Sequence, residues 1–182
     1  MRKFGIAAIV ASLATSALAQ EHKDFPGPGR EQALLKQQFE GDWDAVSRHS
    51  EGGKARESKA TESVKSVDGG YWLLLDFKGD MGGKVYTGQG TLGYDPYKKK
   101  YLLTWIDSKS PVALWAEGDA DADGRTFTFA SEGYCPDLAK TAKFRLVMAV
   151  QDSDHHTLTF YRPGKDRREE KMGEIFFTRH SS

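Results

Sequence analysis

The chain has 182 residues, with 26 lysines and arginines balanced by 26 aspartates and glutamates and a single cysteine. Balanced charge leaves no electrostatic footprint for nucleic acid or for an anionic membrane surface. One cysteine, Cys135, excludes an internal disulfide, so the core must hold the fold without one. It reads as a small apolar filler, because a catalytic thiol needs partners that the sequence does not set beside it.

Residues 1–19 have the build of a secretory signal peptide: Arg2 and Lys3, an apolar run from Phe4 through Leu13, then Ala17-Leu18-Ala19 as a small-residue cleavage site. The run is too short to span a bilayer. Cleavage after Ala19 would remove two positive charges and no negative one, taking the formal net charge from zero to −2. No cysteine follows the cut, so no lipoprotein anchor is expected, and the expected location is periplasmic or secreted. Residues 20–30, with Pro26-Gly27-Pro28-Gly29, read as a flexible leader, and residues 31–182 as one domain.

The segment 31–39 is the one helical stretch, with Leu34, Leu35 and Phe39 on one side, which suits a short helix lying across the end of a barrel. From Trp43 onward short strand patterns alternate with turn signals. Strands are expected at 43–50, 56–67, 71–80, 84–94, 100–107, 112–118, 125–133, 141–151, 155–162 and 170–179. The turns between them carry Gly52-Gly53, Asp68-Gly69-Gly70, Gly82-Gly83, Asp123-Gly124, Asp152-Ser153-Asp154 and Pro163-Gly164. Sequential hairpins of this kind close most economically as an all-β, up-and-down antiparallel barrel of about ten strands, which leaves no open edge.

Two hairpins can be registered. Asp95-Pro96 suits the first positions of a type I turn, and symmetry about Tyr97-Lys98 sets Tyr94 against Tyr101, Leu92 against Leu103 and Gly90 against Trp105. Pairing about Ser153 sets Met148 against Leu158 and Leu146 against Phe160. A further turn at Ser108-Lys109-Ser110-Pro111, taken as symmetric about Ser110, would place Trp115 beside Trp105 and Glu117 beside Leu103. One face then carries Leu92, Tyr94, Tyr101, Leu103, Trp105 and Trp115 with Asp107 and Glu117, and is the expected interior; a slip of one residue inverts it.

The Gly41-Asp42-Trp43 motif after a short helix, with Arg179 near the end of the last strand, resembles the calycin superfamily of lipocalins and fatty-acid-binding proteins. Gly93-Tyr94-Asp95-Pro96, Tyr101, Trp105-Ile106-Asp107, the turn from Gly118 to Gly124, Asp154-His155 and Phe177-Thr178-Arg179 are similar to a bacterial domain family of unknown function, DUF1579. The resemblance implies a calycin-like barrel with no established activity. It also implies a structural role for Trp43 and Arg179, packed together at the closed end, where guanidinium on indole is worth about 1–2 kcal/mol.

Asp119, Asp121, Asp123 and Gly124 match the start of a calcium loop, but Ala130 stands where a bidentate Glu is required, so an acidic hairpin turn is the simpler reading and no metal is assigned. Asp152, Asp154, His155 and His156 read as a solvated turn, since adjacent histidines on a strand point to opposite faces. His49 shares parity with Trp43, yet nothing else supports haem, and no cofactor is expected. Lys98-Lys99-Lys100 and the run from Lys165 to Lys171 are solvated turn ends.

What remains is the interior. Trp72, Tyr86, Trp105, Trp115 and Phe129 are expected as apolar walls, with Asp107, Glu117 or Tyr161 orienting a polar group. The leading expectation is a barrel that binds a small, largely apolar ligand. One alternative is a barrel enzyme with Asp107 or Glu117 in acid–base chemistry. Another is a filled barrel with a structural or protein-binding role.

Overall fold

The computed structural model describes residues 25–51, 54–80, 83–164 and 168–181. The expected signal peptide, the leader up to Asp24, and Gly52, Gly53 and Gly82 of the expected turns lie outside these residues. One helix, α1 (Arg30–Phe39), precedes β1 (Gly41–Glu51), β2 (Lys54–Ser66), β3 (Trp72–Asp80), β4 (Val85–Asp95) and β5 (Lys100–Asp107). There follow β6 (Ser110–Ala120), β7 (Thr126–Cys135), a 3-10 turn at Pro136–Leu138, β8 (Lys140–Val150), β9 (His155–Pro163) and β10 (Glu169–Arg179). Each strand pairs with the next and β1 pairs with β10, so the sheet closes as an up-and-down barrel. The fold is the expected one.

Local chemistry explains the registers. In the β4–β5 turn the Asp95 carboxylate accepts hydrogen bonds from the amides of Tyr97 (2.9 Å) and Lys98 (3.0 Å). The strands leave it with Tyr94 against Tyr101, Leu92 against Leu103 and Gly90 against Trp105, as expected. The β8–β9 hairpin likewise pairs Met148 with Leu158 and Leu146 with Phe160.

The β5–β6 hairpin departs from expectation. Asp107 Oδ1 accepts from the amides of Lys109 (2.7 Å) and Ser110 (2.9 Å), which makes a two-residue turn instead of one centred on Ser110. An irregularity between Trp105 and Asp107 absorbs Pro111, whose missing N–H costs nothing where the ladder is already broken. Trp105 therefore faces Leu114, and Thr104 faces Trp115. This one-residue slip puts Trp115 and Glu117 on the outer wall and Leu114, Ala116 and Gly118 on the inner one.

Helix α1 covers one end of the barrel, burying Leu35 and Phe39, and is fastened by Gln32 to the Tyr94 carbonyl (3.2 Å) and by Gln38 to the Gly124 carbonyl (2.7 Å). Below it Trp43 donates from Nε1 to the Phe39 carbonyl (2.9 Å). Arg179, the cross-strand neighbour of Trp43, lies 4.1 Å above its ring and donates to the carbonyls of Glu40 (2.9 Å) and Ser153 (3.0 Å). Gly41 is required beside it: its φ is +141°, and a Cβ there would collide with the guanidinium.

His156 was expected in a solvated turn. His155 does lie there, against Asp152 (2.8 Å). His156 points the other way and is 2% exposed, stacked on Phe177 with centroids 4.3 Å apart and edge-on to Trp43 and Phe39. Burial, with the charge of Arg179 beside it, holds its imidazole down to about 3, so it is neutral.

The outer wall carries Asp44, Arg48, Lys59, Asp76, Lys78 and Lys143 along its strands. Among the described residues no helix is long and apolar enough to cross a membrane.

Arg179→Ala should lower the unfolding free energy by about 2–4 kcal/mol, the combined worth of the indole contact and two charged hydrogen bonds, measured by urea unfolding. Arg179→Lys should recover less than half, because an ammonium cannot stack and bridge two carbonyls with a planar fork.

Candidate functional site

Alternation along each strand sorts the side chains. In the half nearest α1 the interior is sealed: Leu35, Phe39, Trp43, Val64, Leu73, Leu92, Phe127, Phe129 and Phe177 are all buried. Toward the opposite end, the mouth, the inward-facing Tyr86, Trp105, Leu114, Leu158, Phe160 and Ile175 pack on this core yet keep part of their surface accessible. Small polar residues face them, Ser47 from β1 and Ser131 from β7. Inner apolar surface reachable from one end is the ordinary shape of a small-molecule site.

Trp105 lies flat on the inner wall over Gly88 and Gly90, where any Cβ would collide with its ring. Its Nε1–H donates to Tyr86 Oη (3.2 Å), and Phe77 closes on both rings edge-on, with centroids 6.2 Å from Trp105 and 5.8 Å from Tyr86. Burial, together with the Asp107 carboxylate and only partly offset by the indole hydrogen bond, pushes the Tyr86 phenol up to about 12. Indole, phenol and carboxylate thus form a short polar chain from the inner wall to the mouth.

A second polar group was not recognised from the sequence. Glu62, in the middle of β2, faces inward and is 6% exposed, with Trp43 and Phe77 as its cross-strand neighbours. Burial alone pushes its carboxyl up to about 8, so it is protonated at neutral pH. Among the described residues no side chain pairs with it. The available signal was the parity of Glu62 with Val64, visible only once β2 is known to have that face inward. Nearer the mouth, His49 also faces in, and its Nδ1 is buried without a partner.

Of the residues expected at the site, Tyr86, Trp105 and Asp107 come together. Phe129 faces inward but is sealed in the core. Trp72 is outside, covering Gly93 where that glycine leaves the wall bare. Tyr161 is also outside, beneath the Arg145 guanidinium at 3.9 Å, because His156, Leu158 and Phe160 take the inner face of β9. Trp115 is 71% exposed, and Glu117 is paired with Lys98 on the outer wall. Of the two acids named for the enzyme alternative, Glu117 is therefore outside the barrel, and Asp107 is held by two turn amides.

The acidic turn is divided in the same way. Asp119 pairs with Lys100, and Asp121 accepts from the Arg125 amide (2.8 Å). Among the described residues no group of three or more His, Cys, Asp or Glu side chains is arranged to hold a metal. On the outer wall a groove of about 490 Å³ runs across β2–β6, lined by Leu74, Thr104, Ile106 and Trp115 and flanked by Lys65 and Asp76.

Residues 27–179 match the family described as "Protein of unknown function (DUF1579)". The chain belongs to this family. No curated protein sequence matches this DUF1579 chain. Among solved structures it is similar to the S-type phycobiliprotein lyase CPES from Guillardia theta, at 12% identity and a TM-score of 0.54, covering 85% of this chain and 99% of that one. A de novo designed fluorescence-activating β-barrel gives 20% identity and a TM-score of 0.44, covering 80% and 97%. A redesigned β-barrel gives 13% and 0.42, covering 86% and 100%. The lyase likeness is one of fold.

Two buried titratable groups of this DUF1579 barrel, Glu62 and His156, pull stability in opposite directions. Glu62 is raised from 4.5 to about 8, so its contribution is complete below pH 4.5 and is lost as pH rises toward 8. His156 is lowered from 6.5 to about 3, so its contribution is complete above pH 6.5 and is lost as pH falls. Urea unfolding should therefore show a loss of about 1.5 kcal/mol between pH 6.5 and 8, and Glu62→Gln should abolish that limb while leaving the acid limb in place.

Proposed function

We propose that this protein is an exported binding module that holds a small, largely apolar ligand in the mouth half of its barrel. The carrying observation is the division of the interior: side chains near α1 are sealed, whereas Tyr86, Trp105, Leu114, Leu158, Phe160 and Ile175 face inward and stay accessible. Apolar surface left uncovered inside a barrel is stabilised by an apolar occupant at roughly 25 cal/mol per Å². Trp105 and Tyr86 would form one wall and Leu158, Phe160 and Ile175 the other, with Asp107 at the rim. Export rests on the signal-peptide pattern of residues 1–19.

A second reading is a barrel that works through its outer wall, favoured by the exposed Leu74, Ile106 and Trp115 around the groove. The two readings diverge under one substitution each. Leu158→Trp fills the accessible interior and should weaken binding of the neutral dye N-phenyl-1-naphthylamine by about tenfold or more with the fold retained by circular dichroism. Trp115→Ser should leave dye binding unchanged.

Native mass spectrometry of the protein from the periplasm of its own host should show a chain beginning at Gln20 with a discrete excess mass that disappears on denaturation. An unprocessed chain would remove the export proposal. A processed chain without excess mass, and without saturable dye binding, would remove the ligand proposal.

A further inference from the structure

We infer that the ligand held in this barrel carries a protonated amine on an apolar body, and that Glu62 is the residue that receives the amine. This deepens the proposed function and rests on it.

Glu62 is a carboxyl inside the barrel with no side-chain partner among the described residues, and a polar group in that position is costly unless something completes its hydrogen bonding. Its nearest inner-face neighbours on three strands are apolar. Trp43 and Ala45 flank it from β1, Ala60 and Val64 from its own strand, and Leu75 and Phe77 from β3. Nothing in this packing needs a carboxylic acid; an apolar residue of similar size would complete the core at lower cost. A buried polar side chain kept without a partner is what a site for an absent polar group looks like.

The chemistry of the inner wall selects the charge of that group. Asp107 at the mouth is a second carboxylate, and Ser47 and the unpartnered Nδ1 of His49 lie on β1 between Glu62 and the mouth. The same inner face also carries Tyr86, whose phenol is tied to Trp105 and Asp107, Arg56 of β2 and Arg162 of β9 toward the mouth, both with partners of their own, and Tyr94, Tyr101 and His156 at the α1 end. The cations nearby are already engaged: Arg179 with the Glu40 and Ser153 carbonyls, and Arg162 with Glu170 at the rim (3.8 Å). An anionic head group at Glu62 would meet a carboxyl whose cross-strand neighbours, Trp43 and Phe77, carry no charge. An ammonium brings three donors and a charge that a carboxylate completes. The aromatic edges and faces of Phe77, Tyr86 and Trp105 suit the cation and the apolar body alike.

Binding such a ligand changes the protonation of the site in a defined way. The free carboxyl holds its proton at neutral pH, and the ammonium favours its ionised form, so one proton leaves Glu62 for solvent as the ion pair forms. No covalent bond is made or broken other than that O–H bond.

The test compares octylamine, 1-octanol and octanoate, three flexible chains of equal length that differ in head group, as displacers of N-phenyl-1-naphthylamine at pH 7. Octylamine should displace the dye about tenfold or more better than octanol, and octanoate should be the weakest. Glu62→Gln should remove the amine's advantage while leaving octanol unchanged. If that variant fails to fold, calorimetry of the wild-type protein in two buffers of different ionisation enthalpy should report one proton released with octylamine and none with octanol. Equal displacement by octylamine and octanol, or amine binding without proton release, would overturn the inference and leave the proposed function standing. Failure of the dye itself to bind saturably would overturn both.

Discussion

The barrel depends on the contact between its first and last strands. Trp43 and Arg179 are direct neighbours in the β1–β10 ladder, and the guanidinium lies over the indole while reaching the carbonyls that end α1 and turn β8 into β9. Three pieces of chain distant in sequence are thereby joined at one point. The indole N–H, turned to Phe39, fixes the helix across the barrel end, and the helix then seals the half of the interior beneath it. Without that closure the sheet would carry two free edges, and α1 would have no floor to pack on.

Closing one end so firmly leaves the other to differ. Near α1 the inner wall is aromatic and aliphatic, and even its one histidine is held neutral among rings. Toward the mouth the wall alternates large rings with glycine, alanine and serine. Trp105 can lie flat only because Gly88 and Gly90 give it room, and the hydrogen bond to Tyr86 keeps it there. A ring held against the wall narrows the barrel without plugging it. The carboxyl of Glu62 sits where these two regimes meet, on a strand whose inner face also carries Val64 and Ala60 and, nearer the mouth, Ser58 and Arg56.

Ten strands, one helix and the registers of β4–β5 and β8–β9 were legible in the residues because each depended on short-range chemistry: an Asp-Pro turn, an Asp-Ser-Asp turn, and apolar residues of matched parity on both arms. The β5–β6 register was not. There Asp107 had two plausible uses, as a site acid or as the cap of a tight turn, and the backbone amides of Lys109 and Ser110 decided for the cap. One residue of slip then carried Trp115 and Glu117 outside together, since strand faces alternate. Trp72 and Tyr161 were placed by their bulk, and both proved to cover outer features, a bare glycine and an arginine guanidinium. Cross-strand neighbours, which a linear reading does not provide, settle such cases.

The sequence, with the resemblance it carries, determined the class of fold, the order of its elements and their limits to within about two residues, the closing pair of Trp43 and Arg179, and the placing of Trp105 against glycine. The strands, their order and the place of Trp105 follow from turn chemistry and two-residue periodicity, which act over a few positions, whereas the pair of Trp43 and Arg179 was implied by the resemblance to the calycins. Only the tertiary structure decided which carboxylates enter the barrel, excluding Glu117 and admitting Glu62, and which histidine is buried. Burial is a property of the closed sheet: whether a side chain meets water or the interior depends on the registers of all ten strands at once.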